Sequence, residues 1–154
     1  MINDFYHKYG VPTYKERKAE AIKNLEVRVA AYRDGVSAKE RIKYRPVNKE
    51  QVLAVLCMAA QLPGGWNDPG IRSVHAMANQ LGASEYQTRK CVRELVNDGL
   101  AQVKHSGGIE EDGYPYCYHG FGITEAAAQT QIYRDAYKAM MEEFSAMCAP
   151  IKEE

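Results

Sequence analysis

The chain has no apolar run long enough to cross a bilayer. The longest, Val52 to Ala60 ("VLAVLCMAA"), is nine residues, against the roughly 20 that a spanning helix needs. It also has no close cysteine pair. Cys57, Cys91, Cys117 and Cys148 lie far apart and none falls in a C-x-x-C spacing, which excludes the common zinc ribbons and redox motifs. A glycine-rich phosphate loop, a nucleophile elbow and an H-E-x-x-H pair are all missing. The opening "MINDFYHKYG" lacks the apolar stretch of a secretory leader, so the expected compartment is the cytoplasm, with reduced thiols. Net charge is zero. No catalytic arrangement and no cofactor are expected.

What is present is an uneven spread of charge. Residues 1–49 hold twelve Lys/Arg against six Asp/Glu, and residues 105–154 hold three against nine. The basic third invites an anionic partner, or else packs on the acidic third or on a second copy of the chain. With 154 residues, one domain with helical extensions is expected: an extension over 1–46, a central domain over 47–124 and a terminal helix over 125–154. Only a few residues at each end suggest disorder.

Periodicity places the elements. "TYKERKAEAIKNLEVRVAAYRDG" reads as a long helix over 14–34. Thr13 is its N-cap, Glu16 sits at the capping-box position and Gly35 at the C′ position. Its stripe of Ile22, Leu25, Val29 and Tyr32 is narrow, which suits an outer helix or one lying against a partner subunit. A basic connector follows (Lys39, Arg41, Lys43, Arg45, Lys49), broken before Pro46. Asn48, with Gln51, caps a helix that is apolar nearly all round and therefore central. "LPGGWNDPG" is a loop, and its Trp66 reads as a core plug rather than a pocket wall.

Ser73 caps a short helix with Val74, Met77, Ala78 and Leu81 inward, closed by Gly82. Ser84 caps the next, ended by Gly99. In it Thr88, Cys91, Val92, Leu95 and Val96 follow i, i+3, i+4, i+7, i+8, while Glu85, Tyr86, Gln87, Arg89, Lys90 and Arg93 lie opposite. "LAQVK" and "YPYCYHGFGI" read as a hairpin whose linker, "HSGGIEEDG", is acidic and exposed. Thr124 caps a last helix running to about Cys148, with Ala128, Ile132, Ala136, Met140 or Met141, and Phe144 as its stripe.

Together these segments are more informative than each alone. Met77-Ala78, Leu81-Gly82, Ser84, Val92-x-x-Leu95 and Asn97-Asp98-Gly99-Leu100, followed by a hairpin, make a pattern over about 48–126 that resembles the winged helix-turn-helix family. The long flanking helices and "GFGITEAAAQ" are similar to MarR-type regulators. Phage and plasmid replication proteins also carry similar winged modules. The resemblance implies a mainly α fold with a small β-hairpin wing and long helices on either side. It also implies a homodimer through helices 14–34 and 125–148, and sequence-specific binding of double-stranded DNA in transcriptional regulation.

By position in that family, Tyr86, Gln87 and Lys90 would reach the groove floor and Arg89 and Arg93 the backbone. Ser73, and the helix N-terminus at Ser84, would meet phosphate. The chemistry agrees, since an amide can pair bidentately with adenine and Arg or Lys with guanine. Lys104 and His105, at the base of the wing, would touch phosphate while the acidic tip (Glu110, Glu111, Asp112) points away; otherwise the wing does not bind DNA. Glu85 could accept from cytosine, and is as well placed to repel phosphate. The basic connector could supply further positive charge.

Against this, cations on the free face of an amphipathic helix are usually only solvated, and a winged fold can serve as a protein-interaction module. Cys117 and His119, with His105 across the hairpin, offer too few ligands for an expected metal site. Cys91 reads as a buried structural thiol rather than a redox switch. Tyr114, Tyr116 and Tyr118 alternate on one strand face, where packing is commoner than stacking on a ligand.

Overall fold

A computed structural model describes residues 1–39, 41–62, 70–109, 111, 113 and 115–149, with backbone alone at 106, 108, 109 and 115–118. Trp66, Gly64, Gly65, Glu110, Asp112 and Tyr114, and the side chains of Tyr116, Cys117 and Tyr118, lie outside the described residues. The elements run α1 (Ile2–Tyr9), α2 (Tyr14–Arg33), α3 (Lys49–Ala59), α4 (Val74–Leu81), α5 (Glu85–Asn97), β1 (Ala101–Ile109), β2 (Pro115–Ile123) and α6 (Gln131–Met147). The fold is mainly α with one small antiparallel hairpin, as expected. Among the described residues no helix is long and apolar enough to cross a membrane.

The apolar run Val52 to Ala59 is buried along its whole length, which makes α3 the axis of the molecule. Asn48 and Gln51 form the expected reciprocal cap, Gln51 N to Asn48 Oδ1 at 2.9 Å and Asn48 N to Gln51 Oε1 at 3.0 Å. α5 lays Thr88, Cys91, Val92 and Leu95 against α3, and α4 adds Met77, Ala78 and Leu81. Each fully buried side chain such as Leu56, Met77 or Leu95 contributes roughly 1.5–3 kcal/mol of burial free energy. One core draws on all three segments of the chain, from Phe5 and Val11 through Leu56 to Ala127, Ala136 and Ala139.

The N-terminus departs from expectation. Residues 2–9 form a helix with Phe5 buried, stopped by Gly10 in the left-handed region at φ 74°. Ile2, Phe5, Tyr6 and Tyr9 face inward at i, i+3, i+4, i+7, the spacing of one helix face. α1 is held to α3 and α6 by polar contacts at its C-terminal end. Gln51 Nε2 donates to the Gly10 carbonyl at 2.8 Å. Lys8 Nζ lies 2.7 Å from Asp135 Oδ2, and Tyr9 donates to the same oxygen.

The start of the last helix also differs. Thr124 does cap, accepting from Ala127 N at 3.3 Å, but it closes only a 3₁₀ turn over Ala127–Gln129. Thr130 is extended (φ −80°, ψ 157°) and donates to the Ala127 carbonyl at 2.6 Å, so the turn cannot continue. α6 restarts at Gln131 in a direction that packs Ala136 and Ala139 on the core. Of the expected stripe, Ala136 is buried and Ile132 and Met140 are partly covered, while Phe144 is exposed.

At Thr13, the N-cap half of the expected box forms, with Glu16 N to Thr13 Oγ1 at 3.4 Å. The Glu16 carboxylate instead faces Arg45 at 3.5 Å and His7 at 3.6 Å.

The hairpin is longer than its sequence pattern. His105 to Ile109 belong to β1, and the register pairs Ala101 with Ile123, His105 with His119 and Ile109 with Pro115. Its base is tied to the segment before α4, because Arg72 and Phe121 exchange two backbone hydrogen bonds, both 2.9 Å. Two glycines permit this approach. A Cβ at Gly120 would stand 2.6 Å from the Arg72 carbonyl oxygen, and one at Gly122 would stand 2.8 Å from that of Gly70.

Candidate nucleic-acid interface

α5 separates the two sets of side chains sharply. Its N-cap Ser84 accepts from Gln87 N at 3.2 Å, and the buried Thr88 hydroxyl donates to the Ser84 carbonyl at 2.9 Å. These bonds fix the first turn. The opposite face carries Tyr86, Gln87, Arg89, Lys90 and Arg93, all exposed, with Tyr86 at 73%. None of these five side chains meets a hydrogen-bond or ionic partner among the described residues. The helix is thus anchored on one flank and offers unpaired donors on the other.

Ser73 stands where the sequence places it, capping α4 by accepting from Ala76 N at 3.1 Å. Both cap hydroxyls, at Ser73 and Ser84, are half-buried and accept backbone bonds. Each can still donate a proton outward, since a hydroxyl has one donor besides its lone pairs. Lys104 is half-buried, its stem lying across Gly122, and His105 is exposed beside His119, ring centroids 5.8 Å apart. These two sit on the hairpin rather than on the α5 face, joined to it through the turn at Gly99.

Two residues beside this surface carry no signal in the sequence pattern. His75, on α4, brings Nδ1 to 2.5 Å from Glu85 Oε1, and its Nε2 lies 3.2 Å from Asn79 Nδ2. The carboxylate at the front of α5 is therefore held by α4. Arg72 sits in the bridging segment, its guanidinium donating to the Ile71 carbonyl at 2.8 Å.

The connector also sorts itself. Arg45 donates to Glu20, and a weaker pair to Glu16 lies at 3.5 Å. Arg41 meets Asp34 at 3.7 Å, and Lys49 meets Asp98 at 2.8 Å. Arg45, and after it Arg17, hold the Glu20 carboxyl below the usual carboxylate range. The connector's partners thus lie on α2 and at the end of α5. The ion pairs that do join the basic and acidic thirds run from α1, Lys8 to Asp135 and the N-terminal amine to Glu142 at 3.8 Å.

Cys91 is buried, its thiol 3.8 Å from the Val47 carbonyl and pushed up chiefly by that burial. That is the environment of a structural cysteine. Among the described residues no three His, Cys, Asp or Glu side chains come together as metal ligands.

Comparison of the chain with protein-family profiles, with curated proteins and with solved structures returns no match.

Proposed function

We propose that this chain is a winged helix-turn-helix protein that binds double-stranded DNA sequence-specifically, with α5 in the major groove, and that it acts as a homodimeric transcriptional regulator. The observation that carries the reading is the free face of α5. An amide, three cations and an exposed tyrosine stand unpaired on a helix whose other face is locked into the core. Such a helix fits a major groove, its first residues reaching base edges. Gln87 and Lys90 read bases, and Arg89 and Arg93 hold phosphates. The hairpin, fixed at its base to the residue before Ser73, lies alongside as the wing.

The dimer reading rests on α2 and α6. Leu25 is 60% and Tyr32 88% exposed, with Ile22 and Val29 on the same uncovered stripe. α6 leaves Tyr137, Met141, Phe144 and Met147 uncovered. A second copy covering these stripes would hold two recognition helices for a two-fold symmetric site.

The test is selection of bound fragments from a random duplex pool, followed by titration with the double variant Gln87→Ala, Lys90→Ala. The expected result is loss of specific binding with the fold intact by circular dichroism. Equal binding by wild type and variant removes α5 from the interface. A wild type with no salt-dependent duplex binding refutes the DNA reading and favours a protein-interaction module. Sedimentation at micromolar concentration tests the dimer, and a monomer there refutes it.

A further inference from the structure

Three bonds lay the end of the connector along the recognition unit. Arg45 N donates to the Gly82 carbonyl at 2.7 Å, in the turn between α4 and α5. The Cys91 thiol reaches the Val47 carbonyl, and Lys49 meets Asp98 past the end of α5. Between the connector and α2 runs a groove of about 410 Å³, and Arg45, bonded to that turn, is part of its wall. Four cations line it, Lys23, Arg41, Lys43 and Arg45, against one carboxylate, Glu20. Tyr44, 55% exposed, adds a hydroxyl donor.

The charges in this groove do not cancel. Glu20 is matched by Arg45 and Arg17, and Arg41 by Asp34. Lys23 and Lys43 are left over, with no carboxylate partner among the described residues. Two exposed ammonium groups are point charges without the planar fork that reads a base edge. Their chemistry suits backbone phosphate, which fixes register without carrying sequence information.

We infer that this groove carries the phosphate backbone of the bound duplex past the turn that begins α5, with Lys23 and Lys43 as phosphate contacts and Tyr44 donating beside them. This rests on the reading of α5 as the recognition helix, and it extends the footprint onto the N-terminal segment. The DNA contact then has two parts: α5, which sets the sequence, and the α2–connector groove, which supplies affinity for any sequence.

The experiment is a salt series on one selected duplex, read by fluorescence anisotropy, for wild type and for Lys23→Gln with Lys43→Gln. Each lost phosphate contact lowers the slope of log affinity on log salt by about 0.9. The expected result is a slope shallower by about two and affinity reduced about ten-fold at low salt, with the base preference of the selected pool unchanged. A second variant, Arg28→Gln with Lys138→Gln, removes the same charge from exposed positions off the groove, off α5 and off both apolar stripes, and is expected to keep the wild-type slope. An unchanged slope in the groove variant, while the α5 variant loses binding, overturns this inference and leaves the α5 reading standing. An equal change in both charge variants overturns it too, because the effect is then one of net charge. If the wild type itself shows no salt-dependent binding, both readings fall.

Discussion

His75 and Glu85 meet across the turn between α4 and α5, imidazole Nδ1 to carboxylate Oε1 at 2.5 Å. The contact bears on the one anionic side chain at the front of α5. An unpaired carboxylate there repels phosphate, whereas one hydrogen-bonded to an imidazole has an oxygen occupied and is held toward α4. Glu85→Gln is expected to tighten duplex binding and His75→Ala to loosen it. Each change is about two- to five-fold, the size of a single exposed charge contact. Anisotropy titrations at fixed pH and salt check both. A Glu85→Gln protein that binds more weakly would mean instead that the carboxylate contacts a base.

Gly120 is a second point of leverage. An added methyl would stand 2.6 Å from the backbone oxygen of Arg72, which cannot swing aside as a side chain could. Gly120→Ala is expected to cost about 1–3 kcal/mol, as overpacking does, by prising the hairpin from the segment before α4. Urea denaturation gives the value. Gly113, in the turn beyond the strands with open space around it, is the comparison site, where strain from its φ of 86° is the only cost.

Asp135 holds α1 to α6. The Lys8 ammonium first, then the Tyr9 hydroxyl, pull its carboxyl down to about 2. A depressed carboxyl contributes stability that is complete above its unfolded value of about 3.9 and is lost as the pH falls through the folded value. Wild type is therefore expected to lose this contribution between pH about 4 and about 2. Asp135→Asn, which keeps an acceptor for Tyr9 but no charge for Lys8, should be less stable at neutral pH by roughly 1 kcal/mol, since Lys8 is largely solvated. The gap between the two proteins should close over that acid window. Thermal melts from pH 7 to pH 2 decide it.

The described thiols differ in accessibility. Cys57 is buried and its thiol pushed up to about 12 by that burial, Cys91 is buried and also raised, and Cys148 is exposed. Iodoacetamide at neutral pH is expected to label Cys148 within minutes, and Cys57 and Cys91 only as the protein unfolds. Peptide mapping by mass spectrometry checks the order. Rapid labelling of Cys91 in the native protein would reopen the idea of a redox switch on α5.

Much of the fold was legible because caps and periodicity agree. Ser73, Ser84, Asn48 and Gly82 each mark a boundary where the structure has one. The α5 face was legible for the same reason, since Thr88, Cys91, Val92 and Leu95 fix which side is inward. Four features were not. α1 is eight residues long and too short to stand alone in water; its helix depends on Asp135 and Gln51, far along the chain. The start of α6 was misplaced because Thr124 and Thr130 have the same capping chemistry, and packing on α3, not local preference, selects Thr130. The His75–Glu85 contact and the Arg72–Phe121 bridge are tertiary, with no local spacing to announce them. Of the acidic wing tip only Glu111 is described, and it is exposed; Glu110, Asp112, Tyr114 and the side chains of Tyr116 and Tyr118 lie outside the described residues.

The root of the hairpin is clasped to the segment before α4 by two main-chain bonds, between Arg72 and Phe121, and the Phe121 and Ile123 side chains pack against the core. Such a clasp is indifferent to the side chains mounted farther out, so residues beyond His105 and His119 can diverge in charge or length without re-aiming the arm. It also means that a pull on the arm is delivered straight to the first turn of α4 rather than dissipated in a loop. A duplex gripping the arm and a duplex gripping α5 would tug on one stiff frame.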